Sequence, residues 1–315
     1  MPFISVVSGC FNEEDNVSEL CRQICEVMQS LPPRDGEPYT YEHIFIDNAS
    51  TDRTVEILRS FCAADPRVKV IVNTRNFGHI RSPYYGLLQA RGDAVIGLAS
   101  DLQDPPKMIR DFVAQWEVGY KIVVGVKKES LEKKSTFFVR GLFYRLIDRL
   151  SEVPLVRNFT GFGLYDRVVM DKLRDVDDPY PYFRGLICDL GYARAEIPYS
   201  QPARHRGVTK NNLYSLYDMA MLGITTHSKV PLRLAAMAGF GLSLVALLVA
   251  VVYLVLKLTM WSTFNLGLAP LVIGVYFFGS VQLFFIGILG EYIGSIHTQV
   301  YHRPLVIEKE RINFD

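Results

Sequence analysis

Four short polar runs in this sequence combine carboxylates, amides and hydroxyls. They are Phe11-Asn12-Glu13-Glu14, Asp47-Asn48-Ala49-Ser50-Thr51-Asp52, the stretch from Asn73 to His79, and Ser100-Asp101-Leu102-Gln103-Asp104. Carboxylates next to an anionic ligand make chemical sense when a divalent cation bridges the two. Asp101 and the Gln103 amide are hard oxygen donors of the kind that suit Mg²⁺ or Mn²⁺. A single Asp in such a run is more often a helix cap or a turn residue, and it is the succession of runs that favours a site. Cations cluster elsewhere. Residues 127–150 mix Lys127, Lys128, Lys133, Lys134, Arg140, Arg145 and Arg149 with Phe137, Phe138, Leu142, Phe143 and Leu146. At helical spacing this reads as a basic amphipathic helix on an anionic membrane, able to hold a lipid phosphate, or else as an ordinary surface helix. Arg204, His205, Arg206 and Lys210 form a second cationic group in a loop.

The polar runs need elements to position them. Strand-like runs at Phe3–Ser8, Tyr41–Ile46, Val68–Val72, Ala94–Ala99 and Lys121–Val126 are rich in Val and Ile. Helix-like stretches such as Asn16–Met28 and Thr51–Cys62 lie between them, the latter after Ser50 as a candidate cap. This alternation predicts an α/β fold, a mostly parallel sheet with helices on both faces. Ligands bind such sheets at the carboxyl ends of the strands, where the polar runs fall. The sequence has no G-x-G-x-x-G after the first strand and no Walker lysine loop, which disfavours dinucleotide or P-loop ATP binding.

Composition divides the chain in two. It has 315 residues and net charge +1, so binding to nucleic acid through bulk positive charge is not expected. Residues 232–300 contain only Arg233, Lys257 and Glu291 as charged groups. A bilayer core of about 30 Å takes roughly 20 helical residues, so this segment predicts two spans, at about 232–257 and 266–292. Lys210, Lys229 and Arg233 precede them, and Arg303, Lys309 and Arg311 follow, which puts both termini in the cytoplasm. The two spans read as an anchor, since two helices with so few ionisable groups make no transport path. Five cysteines without a C-x-x-C pair read as reduced thiols. The N-terminus lacks a basic region before its apolar run and reads as a strand rather than a signal peptide. Pro304-Leu305-Val306-Ile307 reads as a strand that pairs with a neighbouring subunit.

F-N-E-E (11–14), D-N-A-S-T-D (47–52), R-N-F-G (75–78), S-D-L-Q-D-P-P (100–106) and the R-x-R-G-x-x-K run at 204–210 occur in this order. Together they resemble the family 2 glycosyltransferases of the polyprenyl-phosphate branch, over residues 3 to about 230. That branch includes dolichol-phosphate mannose synthases and bacterial undecaprenyl-phosphate glucosyltransferases, and the two C-terminal spans look most like the latter. The resemblance implies a GT-A-type fold, followed by interfacial amphipathic helices and a transmembrane hairpin. Its domains would be a catalytic part at 1–210, an interfacial linker at 211–231, the spans within 232–298 and a cytoplasmic tail at 299–315.

The resemblance also implies roles. Phe11, Asn12, Glu13, Asp47, Asn48, Asn76 and Asp101 would bind the nucleotide sugar. Asp101 and Gln103 would hold Mg²⁺ or Mn²⁺. Lys127, Lys134, Arg140, Arg204, Arg206 and Lys210 would meet the acceptor phosphate and lipid. Asp101 and Asp166 would be catalytic, with a salt bridge to Arg167 or a helix start as the alternative for Asp166. The family usually reads D-x-D-L-Q, and Ala99 stands here in place of the first Asp. It often reads D-D-G-S where this chain has Asp47-Asn48-Ala49-Ser50. The expected reaction is inverting transfer of a hexose, from UDP-glucose, to undecaprenyl phosphate at the cytoplasmic membrane face, by a homo-oligomer (a tetramer by resemblance). Other donors (GDP-mannose, UDP-GlcNAc or an aminoarabinose nucleotide) and a non-catalytic nucleotide-sugar-binding protein are the alternatives. A processive polysaccharide synthase is disfavoured, because neither Trp116 nor Trp261 lies in a Q-x-x-R-W motif.

Overall fold

The Val- and Ile-rich runs become neighbouring strands because each is buried on both faces. The structure is a computed structural model that describes residues 1–128, 156, 158–202, 221–222, 225, 228–260 and 268–314. The strands are β1 (Phe3–Cys10), β2 (Thr40–Asp47), β3 (Val68–Asn73), β4 (Ala94–Ala99), β5 (Ile122–Lys127), β6 (Phe159–Asp166), β7 (Arg194–Tyr199) and β8 (Glu308–Ile312). The helices are α1 (Val17–Gln29), α2 (Thr54–Ala64), α3 (Gly78–Gln89), α4 (Ile109–Glu117), α5 (Arg167–Arg174), α6 (Phe183–Asp189), α7 (Val230–Thr259) and α8 (Leu268–Val300).

One eight-stranded sheet runs in the order β7-β5-β6-β4-β1-β2-β3-β8. β6 and β8 are antiparallel to their neighbours, and the other described strands run one way. The register levels the carboxyl ends of the central strands, since Gly9 pairs with Ala99, Cys10 with Asp47, and Asp47 with Val72. Helices cover both faces. Leu20, Ile24, Leu58, Cys62, Phe112 and Trp116 pack on one side, and Leu87, Val169, Met170, Leu173 and Ile187 on the other. Each large apolar side chain removed from water there contributes about 1.5–3 kcal/mol.

Three expectations change. Ser50 is not the cap of α2, since its hydroxyl is turned back to Asp47 and it is Asp52 that accepts from the Thr54 N–H at 3.0 Å. The tail forms no strand at 304–307 for a neighbouring subunit. β8 pairs antiparallel with β3 of its own chain, and the Thr74 N–H donates to Ile307 O at 2.9 Å. The second apolar helix continues to Val300, beyond the expected end of the span. The amphipathic stretch at 129–150 and the loop at 204–210 lie outside the described residues, as do Lys134, Arg140, Arg204, Arg206 and Lys210.

α7 has 30 residues and α8 has 33, about 45 and 50 Å of helix, so both are long and apolar enough to cross a bilayer. α8 is longer than a single span requires. Its last turn meets the globular part, where Gln299 Nε2 donates to Asp178 Oδ1 at 2.9 Å. His302 Nδ1 stands 3.5 Å from Asp177 Oδ2, and the Tyr292 hydroxyl donates to Ser228 O at 2.7 Å. Beyond β8, Asn313 Nδ2 donates to Cys62 O and Val68 O, each at 2.9 Å. Asn313→Ala is expected to lower stability by about 1–2 kcal/mol. Thermal melting of the solubilised chain should show a drop of a few degrees, and an unchanged midpoint would mean that the tail is held by strand pairing alone.

Candidate active site

The polar runs meet at the carboxyl edge as three linked clusters. The first joins the turns after β1 and β2. Asn12 adopts a left-handed φ of 55°. Its N–H donates to Ser50 Oγ at 2.8 Å, and its Oδ1 accepts from the Thr51 N–H at 2.8 Å. The Glu13 N–H donates to Thr54 Oγ1 at 2.9 Å, while its carboxylate accepts from Asn16 Nδ2 at 2.5 Å. Asp47 is fully buried beneath them and accepts from the Ser50 N–H at 3.0 Å. Burial pushes its carboxyl above the usual range, and the Ser50 hydrogen bonds oppose that without cancelling it. Phe11 follows β1 directly and is half-buried.

The second cluster is an amide network. Asn48 Nδ2 donates to Asn76 Oδ1 at 2.9 Å and to Gly78 O at 3.1 Å. Asn48 Oδ1 accepts from the Phe77 N–H at 2.8 Å and from Asn73 Nδ2 at 3.3 Å. Gly78, at φ 88°, lets the chain turn into α3 in a conformation that side-chain-bearing residues avoid. Asn48 and Asn76 are therefore together, and the network sets the shape of the turns on either side.

The third cluster lies at β4, β5 and β6. Asp101 Oδ1 accepts from the Gln103 N–H at 3.1 Å across Leu102, whose φ is 59°. Asp104 is buried. It accepts from the Tyr199 hydroxyl at 2.8 Å and from the Ala99 N–H at 3.3 Å. Burial raises its carboxyl, partly offset by those two donors. Lys127, at the end of β5, lies within electrostatic reach of Asp104, Asp101 and Arg184. Burial lowers its ammonium below the usual range, the two carboxylates pull the other way, and Arg184 adds to the lowering. Arg184 Nη1 donates to Phe159 O at 3.2 Å, and its guanidinium lies 5.3 Å from the Tyr182 ring centroid.

Asp166 is not brought to this edge. β6 runs antiparallel to β4, so Asp166 pairs with Ala94 at the amino end of that strand, while Ala99 is at the other end. Its carboxylate caps α5 through the Val168 N–H at 3.0 Å, and accepts from Trp116 Nε1 at 2.7 Å and Lys121 Nζ at 3.0 Å. The helix-start alternative for Asp166 is the one the geometry shows: it caps α5, with Lys121 rather than Arg167 as its ion-pair partner. Sequence reasoning missed Arg184 and Tyr199 as neighbours of the site. Alternation in Arg194–Tyr199 could have flagged Tyr199 at a strand end. Nothing local marks Arg184.

Among the described residues no group of three or more His, Cys, Asp and Glu side chains is disposed to hold a metal ion by itself. Asp101 with the Gln103 amide does fit the sparser mode of Mg²⁺, which binds through one or two carboxylates plus substrate phosphates and water.

A mixed sheet with acid- and amide-lined turns at its carboxyl edge is an arrangement of GT-A type. Residues 5–174 match the glycosyl transferase family 2 domain, and the chain belongs to that family. It is 35% identical to an uncharacterized glycosyltransferase, YkcC, of Bacillus subtilis, over 96% of this chain and 92% of that one. It is 30% identical to the bactoprenol glucosyl transferase of Shigella phage SfV, over 97% and 98% respectively. Among solved structures, it resembles glucosyl-3-phosphoglycerate synthase from Mycobacterium tuberculosis, solved with Mn²⁺, UDP and phosphoglyceric acid. The TM-score there is 0.50 with 23% identity, covering 71% of this chain and 77% of that one, a likeness of fold.

Proposed function

We propose that this glycosyltransferase moves a hexose, glucose from UDP-glucose, onto a polyprenyl phosphate, undecaprenyl phosphate, at the cytoplasmic face of the membrane, with inversion at the anomeric carbon. One observation carries the reading: both connections to the apolar helices leave the globular part at its carboxyl edge. After β7 the chain departs at Tyr199, beside Asp104. From α8 it returns at Ile307 and Glu308, opposite Thr74 and Asn73. That arrangement supports a reading in which the edge that carries the candidate site is turned to the bilayer. Full-length relatives named for bactoprenol support the same acceptor. In this reading residues 1–210 are the cytoplasmic catalytic part, 211–231 the interfacial linker and 232–298 the anchor, and the assembly is homo-oligomeric.

Asp101 and the Gln103 amide would hold Mg²⁺ or Mn²⁺, which when bound neutralises the leaving diphosphate. The chain's own groups do the rest. The Asn12–Glu13–Asp47 turns seat the nucleoside, and the Asn48–Asn76 network fixes their spacing. Lys127 and Arg184 attract the acceptor phosphate. An oxygen of that phosphate forms the new bond to the anomeric carbon as the bond to the UDP oxygen breaks, and UDP leaves with the electron pair. A phosphate monoester has a second pKa of about 6 and is largely dianionic at neutral pH, so it needs no general base. Asp166, engaged at the far end of the sheet, is not required for proton removal. Purified protein with Mg²⁺ or Mn²⁺ should convert a polyprenyl phosphate to its glucosyl phosphodiester, detected by mass spectrometry. A screen of the common nucleotide sugars that gives no lipid product would overturn the reading, and a product only with another donor would reassign the sugar.

A further inference from the structure

Two cavities flank the segment 180–182. The larger, about 520 Å³, opens beside Ala99 and Asp104 and runs inward between α3 and α6. Its inner wall is apolar, built from Val7, Pro83, Leu87, Leu98, Phe162 and Phe183. Gly9 and Gly97, on adjacent strands, add no side chain to its floor. Its polar groups lie at the outer end: exposed His79 and Thr160, with Asp104 and Arg184. The smaller cavity, about 250 Å³, lies against α8, where Tyr180, Met221 and Leu222 face Ser295 and Thr298. Pro181 and Tyr182 line the first cavity and Tyr180 lines the second. One short segment therefore separates the interior of the catalytic part from α8. It is tied to the α8 side, since the Tyr180 N–H and Gln299 Nε2 both donate to Asp178 Oδ1, at 2.8 and 2.9 Å.

The chemistry of the larger cavity selects its ligand. A hexose carries hydroxyls nearly all round, and burying them without partners is costly. This interior has few partners to give. It suits a ligand with an anionic head and an apolar body. The head is provided for at the outer end, where Arg184 lines the cavity and Lys127 is close enough to interact electrostatically with Arg184 as well as with Asp104 and Asp101. Resting on the transferase reading above, we propose that the cavity between α3 and α6 receives the phosphate-proximal isoprene units of the lipid acceptor. The phosphate sits at Arg184 and Lys127, and the remaining chain leaves over Tyr180, past Met221 and Leu222, toward the bilayer. The donor hexose then lies outside this cavity, over the Asp101 loop.

The test uses the full chain in lipid nanodiscs with UDP and a polyprenyl phosphate bearing a diazirine on its second isoprene unit. After irradiation, label is expected in peptides covering residues 79–87 and 181–184, and unlabelled polyprenyl phosphate should compete it away. Label confined to α7 and α8 overturns the proposal. A second measurement fills the cavity by Ile80→Trp, at a position on α3 that lines it. The KM for the polyprenyl phosphate should rise about tenfold or more, while that for the donor moves less than about twofold. A rise in the donor KM instead would assign the cavity to the hexose and overturn the proposal. The two readings fail differently. Wild-type protein that glycosylates no polyprenyl phosphate takes both down, whereas normal wild-type transfer with an unmoved acceptor KM in Ile80→Trp removes the cavity assignment alone.

Discussion

Asp101→Ala is expected to lower kcat/KM for glycosyl transfer by about 10³-fold, roughly 4 kcal/mol of transition-state stabilisation. The fold should survive. Asp101 lies on a partly exposed turn, where its carboxylate accepts from the Gln103 N–H. Its neighbour Asp104 is different: buried, and joined to both the Tyr199 hydroxyl and the Ala99 N–H. A loss of activity in Asp101→Ala with an unchanged melting temperature separates a ligand-binding carboxylate from a structural one. Ala99 sharpens the expectation, because no second carboxylate stands at that position to compensate. Retained transfer in Asp101→Ala, measured across Mg²⁺ and Mn²⁺ concentrations, would remove the metal from the mechanism.

Asp166→Ala should do the reverse and cost about 3 kcal/mol of stability with little effect on kcat. The substitution removes a helix cap worth about 1 kcal/mol. It also removes a charged acceptor from Trp116 and Lys121, at about 1.5–3 kcal/mol for such bonds, and leaves the indole N–H buried. The carboxylate also sets a pH dependence. Burial pushes it up, but the bonds from Trp116, Val168 and Lys121 outweigh burial and hold it below the usual carboxylate range. A carboxyl whose pKa is depressed on folding contributes stability that is complete above its unfolded value, near 3.9, and is lost as pH falls through the folded value. Acid unfolding of Asp166→Ala should therefore show a shallower loss of stability below about pH 4 than wild type. A large fall in kcat at a temperature where the variant remains folded would return Asp166 to the chemistry.

The five strands whose cores are Val and Ile were legible in the sequence to within two residues at each end, because burial on both faces leaves a continuous apolar run. The other three hid for specific reasons. β6 contains Gly161 and Gly163. At Gly163 an added Cβ would stand 2.4 Å from Val123 O, so close approach of backbones there dictates the residue, at the expense of any apolar pattern. β7 alternates, and its outward positions Arg194 and Glu196 broke the run. β8 reads Glu-Lys-Glu-Arg-Ile, and charges of that kind belong on an edge strand, where they discourage pairing with other molecules. The site divided in the same way. Turns directly after legible strands could be placed, so Asn12, Glu13, Asp47, Asn48, Asn76 and Asp101 all lie at the carboxyl edge. Asp166 could not be placed, because its partners are 50 and 45 residues away in sequence, and antiparallel β6 carries it to the opposite end. Arg184 reaches the mouth of the cavity only through the packing of α6 on β6.

The pairing of β8 with β3 also bears on the order in which the molecule can be made. The strand that finishes the sheet is encoded after both apolar helices, so the sheet stays incomplete until the stretch beyond them, Glu308–Ile312, has been made. Until then the open side of β3 is an unpaired edge able to recruit other strands. Completion of the sheet thereby waits for the whole apolar segment to be made. A chain cut short after α8 would keep that edge open and be exposed to aggregation or proteolysis.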